Sequence, residues 1–383
     1  MTWQAPSVEE QRTEFVQLAR QRTIPFRHLC ARFGISPPTG YKWLARAPDH
    51  PDASDPWACD RSRRPVRIPR QTDPALAARV VELRQAHPTW GGRKLQALLV
   101  TEGHPVVPAP STITNILHRA GLIDPAASAQ RHPFQRFERQ RPNELWQLDF
   151  MGHLPLGTTG QRLHLLTLLD DCSRYAVGAW ACADERLSTV QPALTHAFRH
   201  LGLPLAILTD NGPPWGNSGN GGITALEAWL LRLGIQVLHG RPYHPQTQGK
   251  IERLHATIQT ELTAHQVFAD LAHAQHAVDA WRRCYNTVRP HEALALATPA
   301  SRFQLSHRPF PEELPPIAYR PDDRVLKVRS QGSIELAGRA YFVGSGLSGQ
   351  QVALRPTEQD GVLAVYFCHQ QVRTIDLRQP PQA

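Results

Sequence analysis

Lysine is nearly missing from this chain: there are four in 383 residues, against 38 arginines, an imbalance that reflects a GC-rich coding genome. Cysteine is present but never clustered. Cys30, Cys59, Cys172, Cys182, Cys284 and Cys368 are scattered with no CxxC, which excludes a disulfide framework and a Cys-based zinc site. A reducing, cytoplasmic setting is therefore expected. No apolar run is long enough to span a bilayer, and the N-terminal MTWQAPSVEEQR is too polar for a signal peptide, so no membrane partner is expected. A phosphate-cradling GxxxxGK[ST] pattern is also lacking, and no nucleotide cofactor is called for.

What is present is a globular composition, 41% hydrophobic and 20% charged, with a formal charge of +9. The length calls for two to four domains. Residues 1–148 hold 21 basic against 13 acidic side chains, so the N-terminal part carries nearly all the excess and an acidic polymer is the expected partner.

Along the chain the periodicity predicts a helix from Ser7, whose side chain and Glu10 form a capping box. A short helix over 26–33, a stop at Gly34 and a second helix over about 37–46 follow. That is a helix-turn-helix pattern spanning residues 1–47, with Thr39, Tyr41, Lys42 and Arg46 turned outward as candidate DNA contacts. Residues 48–72 read as a Pro-rich linker in which Arg61, Arg63, Arg64 and Arg67 form a basic arm suited to a phosphate backbone; a merely solvated linker has the same texture. A second helical unit spans 73–123, with Asp73 as N-cap, Pro74 at N1, Ser111 as cap of its last helix and Gly121 as stop. After a linker over 124–142 the texture changes to strands: ELWQLDFMG, LHLLTLLDD and RYAVGAWACA. Strands then alternate with helices to about residue 300, a mixed α/β layer. From 322 to 380 six short strands with Gly turns predict a small all-β barrel.

Three carboxylates sit where carboxylates are costly. Asp149 lies inside an apolar strand, Asp210 ends another, and Glu252 opens a helix. Each alone reads as a cap or an ion pair. If the two strands are neighbours and the helix lies over them, the three converge, and anions so gathered need a cation. Oxygen donors without histidine or thiolate select Mg²⁺ or Mn²⁺. Two such ions about 4 Å apart form the clamp for in-line displacement at phosphorus. On the helix of GKIERLH, Ile251, Leu254, Ile258 and Leu262 share a buried face, with Glu252 at its edge. Lys250 and Arg253 fall on the other flank, placed to hold phosphates, although a salt-bridged face has the same pattern.

As a set, WQLDF, LLDDCSRY, LTDNGPPW, YHPQTQGKIER and YNTVRPHEAL resemble the catalytic core of DDE-class insertion-sequence transposases, similar to retroviral integrases. The resemblance covers residues 140–300 and implies a ribonuclease H-like core over 143–300. It implies that Asp149, Asp210 and Glu252 are a catalytic, metal-binding triad for two ions, Asp149 touching both. His244, Gln246 and Lys250 match motif positions close to the active site and DNA. The 42-residue spacing from Asp210 to Glu252 is longer than in retroviral integrases, and the Gly-rich loop 211–222 holds the excess. The His/Cys zinc module of those relatives is absent. The function implied is binding of terminal inverted repeats, 3′-end cleavage and strand transfer on double-stranded DNA, by at least a dimer, in a nucleoid-associated bacterial protein. A catalytically silent DNA-binding regulator is the alternative, and a ribonuclease H acting on hybrids would leave two N-terminal DNA readers unexplained.

Overall fold

The computed structural model describes residues 7–49, 56–60, 72–123, 138–157, 161–212, 214–216, 222–240 and 249–379. The chain divides into two compact units, residues 1–71 and 72–383.

The first unit is helical: α1 (Val8–Gln21), α2 (Phe26–Arg32) and α3 (Pro37–Arg46). The capping box forms as expected, with Ser7 accepting from Glu10 N and Glu10 accepting from Ser7 N. Phe15, Val16, Leu29, Cys30 and Trp43 fill the core. Gly40 lies inside α3 because a Cβ there would come 2.8 Å from both Cys30 Sγ and Phe15 Cζ.

The second unit opens with α4 (Pro74–Ala86), α5 (Gly92–Thr101) and α6 (Pro110–Arg119), packed around Val80, Trp90, Leu95, Leu99 and Ile113. Asp73 caps α4 through Ala75 N. Ser111 does not cap α6. Pro110, with its preset φ, takes the first helical position, so the cap falls one residue earlier on Ala109 and Ser111 lies within the first turn.

A five-stranded sheet follows, built from β1 (Leu145–Leu156), β2 (Gln161–Asp170), β3 (Ala176–Cys182), β4 (Ala206–Thr209) and β5 (Gln236–His239) in the order β3-β2-β1-β4-β5. The first three strands pair antiparallel, and β4 and β5 join β1 in parallel. Alternation along the strands supplies two apolar faces. Trp146, Leu148, Leu166 and Leu168 pack with Val190, Leu194 and Phe198 of α7 (Leu187–Leu201) and with α8 (Ala225–Arg232). Leu163, Leu165 and Leu169 pack with Leu254 and Ile258 of α9 (Gly249–Ile258) and with Val278, Trp281 and Tyr285 of α10 (Leu271–Thr287). A π-helical turn, Gln259–Thr263, continues α9.

The C-terminal part is all-β: β6 (Arg324–Lys327), β7 (Ser333–Leu336), β8 (Arg339–Phe342), β9 (Gln351–Pro356), β10 (Val362–Phe367) and β11 (Gln370–Asp376). They form a sheet ordered β11-β10-β9-β6 and a β7-β8 hairpin. The apolar core runs on through the boundary expected at 322, since Val328, Ile334, Leu347 and Val352 belong to the same buried cluster as Leu226 and Leu230 of α8. No helix among the described residues is long and apolar enough to cross a membrane.

Candidate nucleic-acid processing site

The parallel pairing of β1 with β4 sets Trp146 beside Ile207 and Gln147 beside Leu208. Two residues further on each strand come Asp149 and Asp210, so the continuing register brings the two carboxylates to one level on the same face. Asp149 Oδ1 accepts from Phe150 N at 2.8 Å, and Asp210 Oδ1 accepts from Gly212 N at 3.1 Å. Burial, then the charge of Asp210, with smaller contributions from Glu252 and Glu185, pushes the Asp149 carboxyl up to about 7. Burial is also the main cause that raises Asp210. Glu252 stands exposed on the first turn of α9. The three carboxylates thus share one electrostatic neighbourhood. Among the described residues, however, the group whose ligand atoms all lie within 4.8 Å of one another is His153, His164 and Glu185 rather than the triad.

The start of α9 is fixed from the sheet. Gln147, buried, accepts from Ile251 N at 3.1 Å and donates to Asp171 Oδ1 at 2.8 Å. Asp171 Oδ2 also pairs with Lys250 Nζ at 2.6 Å. Lys250, expected to hold phosphates, is therefore committed inward; the Asp171 side chain is only 3% exposed, and a buried carboxylate needs a cationic partner. Next to it, Asp170 accepts from Ser173 N, Ser173 Oγ and Asn143 N. The LLDDCSRY motif is thus a turn clamp that anchors the start of α9. Arg253 stays exposed on α9.

Two histidines not singled out in the sequence complete the surroundings. His255 Nε2 lies 2.7 Å from Thr167 Oγ1, whose hydroxyl donates to Asp149 O at 3.0 Å, so the imidazole is the donor to Thr167. Its Nδ1 is 4.0 Å from Asp149 Oδ2, and burial lowers its pKa to about 4. His239 bridges Glu227 Oε1, at 2.7 Å, and the carbonyl of Asp210, at 3.0 Å, and its pKa is raised, chiefly by the bond to Glu227. The available signal for His255 was its place three residues after Glu252, beside the Ile251, Leu254 and Ile258 stripe. Phe150 stacks on buried Trp215 at 5.5 Å, holding the start of the Gly-rich loop against the sheet.

In the first unit, Tyr41 and Lys42 are exposed on α3, Tyr41 stacking on Phe26 at 4.2 Å. Thr39 and Arg46 are less free than expected. The Thr39 hydroxyl is bonded to Ser36 Oγ at 2.9 Å, and Arg46 is half-buried, donating to Cys59 O at 2.7 Å beside the Trp43 ring. Thr39 is drawn into a local bond at the start of α3, and Arg46 ties α3 to the turn after it. His244, Gln246, Arg61, Arg63, Arg64 and Arg67 lie outside the described residues. His196 and His200 lie side by side on the exposed side of α7, ring centres 4.3 Å apart and planes inclined by 41°.

A mixed sheet with one carboxylate inside its central strand, a second just past the end of the neighbouring parallel strand and a third on the helix packed over them defines a protein with an integrase-type, ribonuclease H-like core, preceded by helix-turn-helix units and followed by an all-β domain. Residues 139–245 and 233–299 match integrase core domain families, residues 323–382 match the IS481 family transposase C-terminal domain, and residues 39–117 match a homeodomain-like domain. An insertion element IS407 protein of 31.7 kDa from Burkholderia multivorans is 32% identical over 63% of this chain and 84% of its own length. An insertion element IS476 protein of 39.2 kDa from Xanthomonas euvesicatoria is 30% identical over 63% of this chain and 68% of its own. The solved HTLV-2 integrase catalytic core in complex with magnesium is more distant, at 19% identity and a TM-score of 0.34 over 43% of this chain and 98% of that one. The chain belongs to the insertion-sequence transposases with a retroviral-integrase-like catalytic core.

Proposed function

We propose that the chain is an active DNA transposase that binds the terminal inverted repeats of its element, cleaves the 3′ ends and joins them to target DNA, working as at least a dimer. Asp149, Asp210 and Glu252 are the groups that hold two Mg²⁺ or Mn²⁺ ions. The observation that carries this reading is the parallel register of β1 and β4, which pairs Gln147 with Leu208 and so levels the partly buried Asp149 with Asp210; burial and the neighbouring acids push the Asp149 carboxyl up to about 7. A partly buried, oxygen-only donor set with mutual repulsion favours a hard cation. Bound there, divalent ions would activate the attacking hydroxyl and stabilise the leaving oxygen.

The chain's own residues do the positioning. Phe150 N and Gly212 N orient the two aspartates, and His239 fixes the backbone of Asp210. Gln147 holds the first turn of α9, from which Glu252 projects and along which Arg253 is free to meet a phosphate. Tyr41 and Lys42 present an exposed face of α3 to DNA. Metal-dependent nicking of an end-containing duplex tests the assignment. Asp149→Asn, Asp210→Asn and Glu252→Gln should each cut at less than about a hundredth of the wild-type rate, a barrier increase of about 2.7 kcal/mol, while duplex binding and Tm stay near wild type. Faster residual cutting in any of them overturns the shared site. A wild-type chain that binds and never cuts, in Mg²⁺ or Mn²⁺, is the silent regulator.

A further inference from the structure

The far end of the β1–β2 hairpin carries a second set of ligand-bearing side chains. His153 on β1 stands directly opposite His164 on β2, with ring centres 5.3 Å apart. The register shifts between Phe150 and His153, where Gly152 adopts φ +37°, and the extra residue in β1 turns His153 onto the face that His164 occupies. Without that bulge the strict alternation of the strand would send His153 to the opposite face. Glu185, in the connection between β3 and α7, reaches the same point: its Oε1 lies 2.8 Å from His164 Nδ1. One ligand atom from each of the three residues lies within 4.8 Å of the others.

We propose that His153, His164 and Glu185 form a binding site for a transition-metal ion of the zinc class, separate from the carboxylate triad. Two imidazole nitrogens and one carboxylate oxygen suit Zn²⁺, Co²⁺ or Ni²⁺, whereas Mg²⁺ takes oxygen donors; the two sites therefore select different ions. His164 and Glu185 are half-buried while His153 is exposed, which leaves coordination positions open to water. The three ligands come from three separate elements, so the ion would pin the hairpin end to the β3–α7 connection. Glu185 also bears electrostatically on Asp149 and Asp210, so a cation on it would relieve part of the crowding of negative charge at the triad without entering it.

The test is metal binding by the full chain without DNA, which separates this inference from the transposase reading. The chelator-stripped protein is titrated with Zn²⁺ by calorimetry and with Co²⁺ by visible absorption. One Zn²⁺ should bind with micromolar or tighter affinity, weakened at least tenfold by His153→Ala and by Glu185→Gln. Binding should persist in a chain carrying Asp149→Asn, Asp210→Asn and Glu252→Gln together, weakened only by the lost long-range negative charge and by less than in either ligand variant. Because His153 is exposed, its variant should melt like the wild type, so lost binding cannot be ascribed to unfolding. No Zn²⁺ binding, binding indifferent to residues 153 and 185, or binding lost only in the triad variant overturns the proposal.

Discussion

At position 291 a histidine is kept neutral by its surroundings. Its Nε2 faces Arg289 NH1 at 3.3 Å, so the guanidinium donates and the ring accepts, and the edge of Tyr285 packs at 4.8 Å. Burial first, then the charges of Arg289, Lys94 and Arg174, lowers its pKa to about 3. A base with a depressed folded pKa gives its full stabilisation above the unfolded value, near 6.5, and loses it as pH falls toward 3. Between pH 7.5 and pH 5 the wild type should therefore lose about 1–2 kcal/mol of stability that a His291→Asn chain does not lose. Parallel chemical denaturation at the two pH values measures this, and equal losses would refute it. The motif YNTVRPHEAL was legible as part of the family pattern, but the role of its histidine was not. It depends on Arg289 and Tyr285 closing round the ring, which local spacing does not specify. The same holds at Lys250: the sequence showed a cation beside Glu252, and only the fold shows the buried Asp171, nearly 80 positions away, that claims it.

Among the elements, the π-helical turn after α9 carries a hub of hydrogen bonds. It places Glu261 where four donors meet: Thr89 Oγ1 and Trp90 Nε1 from the second helical unit, Trp281 Nε1 from α10, and Arg289 Nε at 2.9 Å. One carboxylate thus joins the second helical unit to the helix pair that carries Glu252. Removing it strands a guanidinium and two indole N–H groups in a half-buried position, a loss of about 3 kcal/mol. Glu261→Ala should lower stability by that order and more than Glu261→Gln, which keeps a carbonyl acceptor; denaturant midpoints compare them, and matching midpoints for both variants would remove the hub. The elements themselves were largely legible. The capping box at Ser7 and Glu10, the Asp73–Pro74 start, and the α9 stripe of Ile251, Leu254 and Ile258 all follow from local chemistry. What local chemistry does not encode is pairing. The neighbouring of β1 and β4 was inferred from the chemistry the acids would need, and the bulge that aligns His153 with His164 was not visible at all.

For the molecule as a whole, the β-rich C-terminal part reads in sequence as a detachable domain, because from residue 322 the pattern changes to short strands with Gly turns between them. Removing residues 322–383 would then spare the core. The packing argues the reverse. Ile334, Leu347 and Val352 are fully buried in one cluster with Leu226, Leu230 and Ile235, and Gly346 N donates to Ile223 O at 2.9 Å. A Cβ on Gly346 would come 2.1 Å from the Thr224 carbonyl carbon, so the turn Ser345–Leu347 after β8 approaches the α8 start as closely as backbone permits. A chain ending at residue 321 would bare this side of α8 and β5, and at about 25 cal/mol per Å² each fully exposed leucine or isoleucine costs about 1.5–3 kcal/mol. Such a chain should aggregate or lose cooperative melting. Gly346→Val in the full-length chain offers the gentler version, with Tm depressed by several degrees as the Ser345–Leu347 turn is forced off the start of α8. A soluble 1–321 chain melting within a degree or two of the full length would show that the C-terminal strands are an independent domain after all.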